Sequence, residues 1–437
     1  MRINASRSMK KVALAASAAS LAILFATPAM AQDAQGSGEE AEAPSEGIVV
    51  IGTRRADRTV TDSPSPVDVI GADDLATQSS SNMLDTIKNV VPSFFVGQNT
   101  ISDASTFVRA PSLRGLPGDE VLVMLNGKRF NRSALVQVYV GGDTALSFGS
   151  HGSDISVIPS IAIKNLQILR DGATAQYGSD AIGGVLNYGL RDDAGLEIQG
   201  RYGQTYEGDG KSYQIAANAG VKVGDRGFIN LSAEFFDDGQ TSRGATRPVA
   251  LVFQSTNPQS TYSQLPNFPG PVQIWGSSPV HGYKTMLNAG FEIVDGHQLY
   301  MIGNLAHSKG DQSFNYRSPI SAPGLQVNNG SGITTASPGR NSAFAHPIYL
   351  TPCPASAAAT CLPGGFVMSN LANTQQTYNF TSLYPAGFTP RFVGEVDQAF
   401  GVVGVKNTEG ALTWDLAVSA SKSSLDLSMY DSLSPSY

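Results

Sequence analysis

Residues able to do covalent or metal chemistry are few and scattered in this 437-residue chain. His151, His281, His297, His307 and His346 stand far apart, and no G-x-S-x-G, H-E-x-x-H or C-x-x-C spacing occurs. Ser147 to Asp154 holds Ser, His and Asp, but neighbours in sequence rarely form a triad, so the stretch reads as a loop. Gly127 to Arg129 lacks the flanking glycines of a phosphate loop. Cys353 and Cys361 lie in the Pro/Ala/Ser-rich run 352–363, without a His or further Cys at ligand spacing. Together these residues predict no enzyme, no cofactor and no metal site.

The elements around them explain the two cysteines. Arg2, Arg7, Lys10 and Lys11 precede an apolar run from Val12 to Phe25, and Ala29-Met30-Ala31 forms a cleavage signature. The apolar run is shorter than the roughly 20 residues a membrane helix needs, so residues 1–31 read as a secretory signal peptide. Export exposes the cysteines to an oxidising compartment and predicts a Cys353–Cys361 disulfide clamping a short loop. Cleavage takes the net charge from −7 to −11, because the signal holds four basic and no acidic residues. That acidity argues against nucleic-acid binding. Only 15% charged residues, 46 glycines and a mean hydropathy of −0.08 suit a chain of strands and turns.

Residues 32–46 are small and acidic without periodicity, which predicts a tether. Behind it Ile48-Val49-Val50-Ile51 is a β-branched run, followed by Gly52 and Thr53, ready to add to another sheet edge. Residues 67–190 read as one mixed unit. It comprises a strand at Val67–Ile70, a helix through Met83, Leu84, Ile87 and Val90 capped by Ser81 and stopped by Pro92, an Asn126-Gly127 hairpin, and strands from Ile155 to Leu169.

Beyond Arg191 the period becomes two. Leu196, Ile198 and Tyr202 alternate with Glu197, Gln199 and Arg201, and similar segments run through Ile215, Leu231, Phe291 and Leu416. Short turns at Gly224–Gly227, Val294–His297 and Asn407–Gly410 alternate with long loops at about 237–280 and 310–396. Short turns on one side and long loops on the other are the habit of outer-membrane barrels. About seven strands are countable, against about 22 in plugged transporters and even counts in bacterial barrels. The count predicts that this sequence is part of a longer chain.

Ile168 to Asn187, with Arg170, Tyr177, Gly178, Asp180, Gly183, Gly184 and Asn187, closely resembles the end of the plug domain in TonB-dependent outer-membrane receptors. Arg114 and Gly115 stand where that family keeps a core Arg-Gly. Ile48 to Thr53 resembles the TonB box, with Ile51 where the family usually has Thr. Gln167 stands where it often has Glu, which predicts that one plug-wall ion pair is missing.

The resemblance implies an α+β plug domain followed by antiparallel transmembrane β-barrel strands. It divides the chain into tether and box at 32–55, plug at 56–190 and the N-terminal part of the barrel at 191–437. The implied partners are a TonB-type energy-coupling protein in the periplasm, outer-membrane lipid and an extracellular ligand such as a metal chelate. The implied place is the outer membrane of a Gram-negative bacterium. The implied activity is import of a scarce bulky solute, most often a ferric siderophore. Cobalamin or saccharide import, or a signalling or structural barrel, are the other readings. The motif residues read as plug-folding and wall-packing groups rather than ligand contacts.

Overall fold

The computed structural model describes residues 51, 67–76, 83–97, 104, 106–137, 149–170, 174–319, 326–328, 333–335, 348–352, 366–369, 376–378, 383–407, 409–410 and 412–432. The signal, most of the tether, Ser81, Cys353 and Cys361 lie outside these residues.

The N-terminal unit is built on a mixed sheet. Its elements are β1 (Val67–Gly71), α1 (Ala72–Ala76), α2 (Met83–Val90), β2 (Phe94–Val96), β3 (Pro111–Leu113), β4 (Val121–Leu125), β5 (Lys128–Arg129), β6 (Ile163–Leu169), α3 (Thr174–Tyr177) and β7 (Gly184–Leu190). The order is β1-β6-β7-β4-β5, with only β4 and β7 parallel. Both faces of its central strands are covered, so β4 is buried along its whole length and reads as the unbroken apolar run Val121 to Leu125. In α2 the apolar Met83, Leu84 and Ile87 turn inward, and the chain leaves the helix before Pro92. The Asn126-Gly127 turn has φ of 46° and 77°, the two positive angles a type I′ hairpin requires.

One sequence expectation fails here. Ile155–Val157 and Ser160–Ala162 are single 3₁₀ turns, and only Ile163–Leu169 is a strand. Asp154 draws the chain into the first turn by accepting the Ser156 amide at 2.9 Å, and Pro159 cannot donate to a ladder.

The second unit is an antiparallel meander. It holds β8 (Gly195–Gly203), β9 (Ser212–Val223), β10 (Gly227–Asp238), α4 (Pro248–Thr256), α5 (Gln259–Tyr262), β11 (Val280–Val294) and β12 (His297–Ser313). The short strands β13 (Gln326–Asn328), β14 (Ile333–Thr335), β15 (Ile348–Pro352), β16 (Phe366–Ser369) and β17 (Gln376–Tyr378) precede β18 (Arg391–Asn407) and β19 (Trp414–Tyr430). The seven long strands form one sheet in the order β19-β18-β12-β11-β10-β9-β8. β12 and β18 run further into the second long loop than the alternation alone indicates, because their pairing continues to Ser313 opposite Arg391. The first long loop packs on itself and on the second, with Val249, Ala250 and Phe253 of α4 against Leu265 and Val272 and against Tyr316 of the second loop.

The two faces of this sheet are inverted relative to a soluble sandwich. Ile198, Ile215, Leu231, Leu305 and Val418 are exposed, whereas Gln214, Asn218, Asn230, Ser232, Asn304 and Gln398 are buried. Aromatic rings collect at both ends of the apolar face. Tyr202 meets Tyr213 at 5.2 Å, Phe235 meets Tyr283 at 6.3 Å, and Tyr283 meets His307 at 5.8 Å; His297 and Trp414 pair at 5.8 Å near the opposite end. An apolar band between aromatic girdles is the surface a lipid bilayer selects. The buried polar face belongs to the N-terminal unit.

Candidate functional site

Hydrogen bonds fasten the N-terminal unit to this inner face at well-spaced points. Glu234 on β10 accepts the Ser160 amide at 2.8 Å and the Ser160 hydroxyl at 2.9 Å. Asn304 on β12 donates to the Val157 carbonyl at 3.0 Å. Lys128 on the hairpin pairs with Asp415 at 2.7 Å, and Asn131 exchanges amide bonds with Gln398. Apolar contact fills between them, as where the Phe130 and Phe400 rings meet edge-on at 4.9 Å. Phe107 needs two glycines to fit. A Cβ built on Gly310 or Gly394 would stand 2.4 or 2.2 Å from its ring.

Where the two units do not touch, a cavity of about 620 Å³ remains. Asp85 of α2 and Thr106, Phe107, Arg109 and Ser156 line it from the N-terminal unit. The wall contributes Gln214, Glu234, Asp238 and Lys284, and Trp275 comes from the first long loop. Lys284 is neutralised by Glu234 at 2.8 Å and lies 4.7 Å over the Phe236 ring. Asp238 accepts the Ser212 hydroxyl at 2.5 Å. Arg109 is buried, and burial draws its guanidinium pKa below the ordinary value against the opposing pull of Asp85, Asp154 and Asp238. Asp154 behaves in the opposite sense, since burial raises its carboxyl pKa above the usual range. A cavity of this size with aromatic, cationic and carboxylate groups can hold a bulky polar solute.

The motif residues lie elsewhere, and none lines this cavity. Arg114, at φ 59°, and Gly115, at φ 78°, form a tight turn that sends the Arg114 side chain to the Arg170 carbonyl at 2.8 Å. Arg170 itself pairs with Asp68 on β1. Asp180 is clamped by Arg129 and by Arg132, the latter at 3.0 Å, while Arg129 also donates to the Tyr177 carbonyl at 3.1 Å. Gly178 turns at φ 87°, and the Gly183 amide donates to the Glu120 carbonyl at 2.8 Å. Gly184, at φ 141°, is obligatory, because a Cβ there would lie 2.4 Å from the Leu169 carbonyl oxygen. Asn187 accepts the Gly127 amide at 2.8 Å and donates to Gln167 at 3.2 Å. Gln167 is thus buried within the N-terminal sheet, and the expectation that it stood at the wall is corrected.

Of Ile48, Val49, Val50, Ile51, Gly52 and Thr53, only Ile51 lies among the described residues. It is fully buried among Val67, Leu122, Met124, Leu169, Ala181 and Val185. The expected Cys353–Cys361 bridge lies outside the described residues. Among the described residues no group of three or more His, Cys, Asp or Glu side chains is arranged to hold a metal.

Glu234 and Lys284 occupy polar positions of strands β10 and β11, whose alternation was legible although the convergence of the two side chains was not. Arg109 and Trp275 carry no sequence signal, since each reaches the cavity from an irregular segment.

A family model and several known proteins resemble this chain. Residues 59–185 match the family model described as TonB-dependent Receptor Plug Domain. An iron-regulated outer membrane virulence protein of Vibrio cholerae serotype O1 is 25% identical over 174 residues, which are 40% of this chain and 23% of that protein. The chain spans about a quarter of the length of the curated relatives it matches. Among solved structures, the ferric preacinetobactin receptor BauA of Acinetobacter baumannii superposes with a TM-score of 0.43 at 10% identity, covering 85% of this chain and 49% of that one. The ferric enterobactin receptor PfeA of Pseudomonas aeruginosa gives 0.39 at 12% identity, covering 78% and 49%.

Proposed function

We propose that this chain, which belongs to the TonB-dependent outer-membrane receptors, supplies the plug and part of the barrel wall of an energised importer whose solute is a ferric siderophore. The observation that carries this reading is the cavity of about 620 Å³ between plug and inner wall, floored by a plug that polar contacts hold in place. A bulky solute seated there would have its way blocked by the plug, so passage requires work on the plug. The iron-regulated relative supports iron as the cargo.

The coupling element in this reading is Ile48 to Thr53. Ile51 is packed on the plug sheet, so the run must leave that pocket before it adds as a strand to the coupling protein. Proline removes a strand N–H and fixes φ, so Val50→Pro blocks such pairing while leaving the cavity intact. In cells carrying the full-length receptor, radiolabelled ferric siderophore should still bind at the surface to the Val50→Pro protein but no longer accumulate. Undiminished accumulation would sink the coupling role.

A further inference from the structure

Among the described residues, the cavity contains a cation without a bonded partner. Arg109 lines it at 6% exposure, and its Nε has no hydrogen-bond partner. Among the described residues no carboxylate lies within ion-pair distance of its guanidinium. Asp85, Asp154 and Asp238 act on it through space without bonding its guanidinium. Asp154 accepts the Arg109 backbone amide at 3.1 Å together with Ser156, and Asp238 accepts from Ser212. The other cation at the cavity, Lys284, has Glu234. A desolvated charge without a bonded partner is costly to keep, and a guanidinium fork matches a planar oxyanion with two parallel bonds.

We propose that Arg109 is a recognition residue whose guanidinium takes an oxyanion of the solute, a carboxylate or phosphate group, at the plug face of the cavity. The inference rests on the importer reading for the cavity being the solute's site, and it narrows the solute to a chelate or nutrient carrying such a group. An uncharged saccharide leaves Arg109 unmatched.

Citrate and inorganic phosphate are suitable probes, since they separate the two sources of oxyanion. Unfolding midpoints of the full-length receptor in detergent are compared with sodium chloride at equal ionic strength. For the wild type, at least one probe should raise the midpoint beyond the chloride control. Arg109→Gln should weaken that probe about ten- to a hundred-fold, as loss of a charge-assisted bidentate contact implies. Arg109→Lys should retain part of it. Without probe, Arg109→Gln should be at least as stable as the wild type, because the unmatched charge is gone. Equal shifts in wild type and Arg109→Gln, no shift in the wild type, or failure of Arg109→Gln to fold would each overturn the proposal. Oxyanion binding without energised uptake would refute the importer alone. Uptake that Val50→Pro abolishes, in a receptor indifferent to both probes, would refute only the role of Arg109.

Discussion

Asp154 has one carboxylate oxygen fully used and one with nothing to bond. Its Oδ1 accepts the amides of Arg109 and Ser156 and the Ser156 hydroxyl, whereas Oδ2 is buried without a partner. Burial raises its pKa, so between the ordinary carboxylate value and the raised one the folded chain binds more protons than the unfolded chain. Stability from this group is then fully present at low pH and is lost as pH rises through the folded pKa. Asp154→Asn keeps the amide-accepting oxygen and removes the charge. Its unfolding midpoint relative to the wild type should therefore climb as pH rises from the ordinary carboxylate value through the raised one. Parallel curves for the two proteins would refute this. At this scale the sequence showed what the motif residues were but not what they touched. Arg170 and Arg114 were readable from the family resemblance, yet their meeting through the Arg170 carbonyl depends on how β6 and the Arg114 turn are stacked. Arg109 was unreadable, because its significance lies in which partners it lacks.

The β4–β5 hairpin joins local chemistry to docking. Asn126 supplies one positive φ, accepts the Leu190 amide at 2.8 Å and donates to Asn288 of the wall at 3.2 Å. Two variants separate these roles. Asn126→Gly keeps the backbone angle and loses only the side-chain bonds, at about 1 kcal/mol each. Asn126→Ala loses the same bonds and adds about 1 kcal/mol or more of left-handed strain. Chemical denaturation of the full receptor should therefore rank wild type above Asn126→Gly above Asn126→Ala; equal loss in both variants would show that turn geometry is irrelevant. The turn was legible because Asn-Gly states its backbone need locally. The 3₁₀ turns before β6 were not, since Ile155, Val157, Ile158 and Ile161 are good strand formers bent by a buried Asp154 and by Pro159. The helices α4 and α5 escaped notice for a related reason. They are stabilised by a small core shared with Tyr316 of the second long loop, a contact distant in sequence.

Across the whole molecule, the organising fact is a sheet with its apolar side out. Period-two alternation was visible from β8 onward, but alternation alone does not say which side faces the core. The partner decides it. The plug offers the wall carbonyls, amides and the Lys128 ammonium, and the wall answers with Asn304, Asn288, Glu234 and Asp415. Apolar contact forms two patches, one where Met286, Tyr300, Ile302, Phe400 and Val402 continue the plug's own core and one where Phe107, Val108 and Leu135 meet Val396. The exposed apolar band on the other face requires lipid.

That claim is tested most directly by nitroxide labels on neighbouring positions of β10 and β19 in outer-membrane vesicles. The full receptor would first have Cys353 and Cys361 replaced by alanine. Labels at Leu231 and Val418 should be open to dissolved oxygen and shielded from a water-soluble nickel chelate, whereas labels at Ser232 and Asn230 should be shielded from both. Equal access of the nickel chelate to Leu231 and Val418, or the reverse alternation, would contradict a lipid-facing wall around a polar-docked plug.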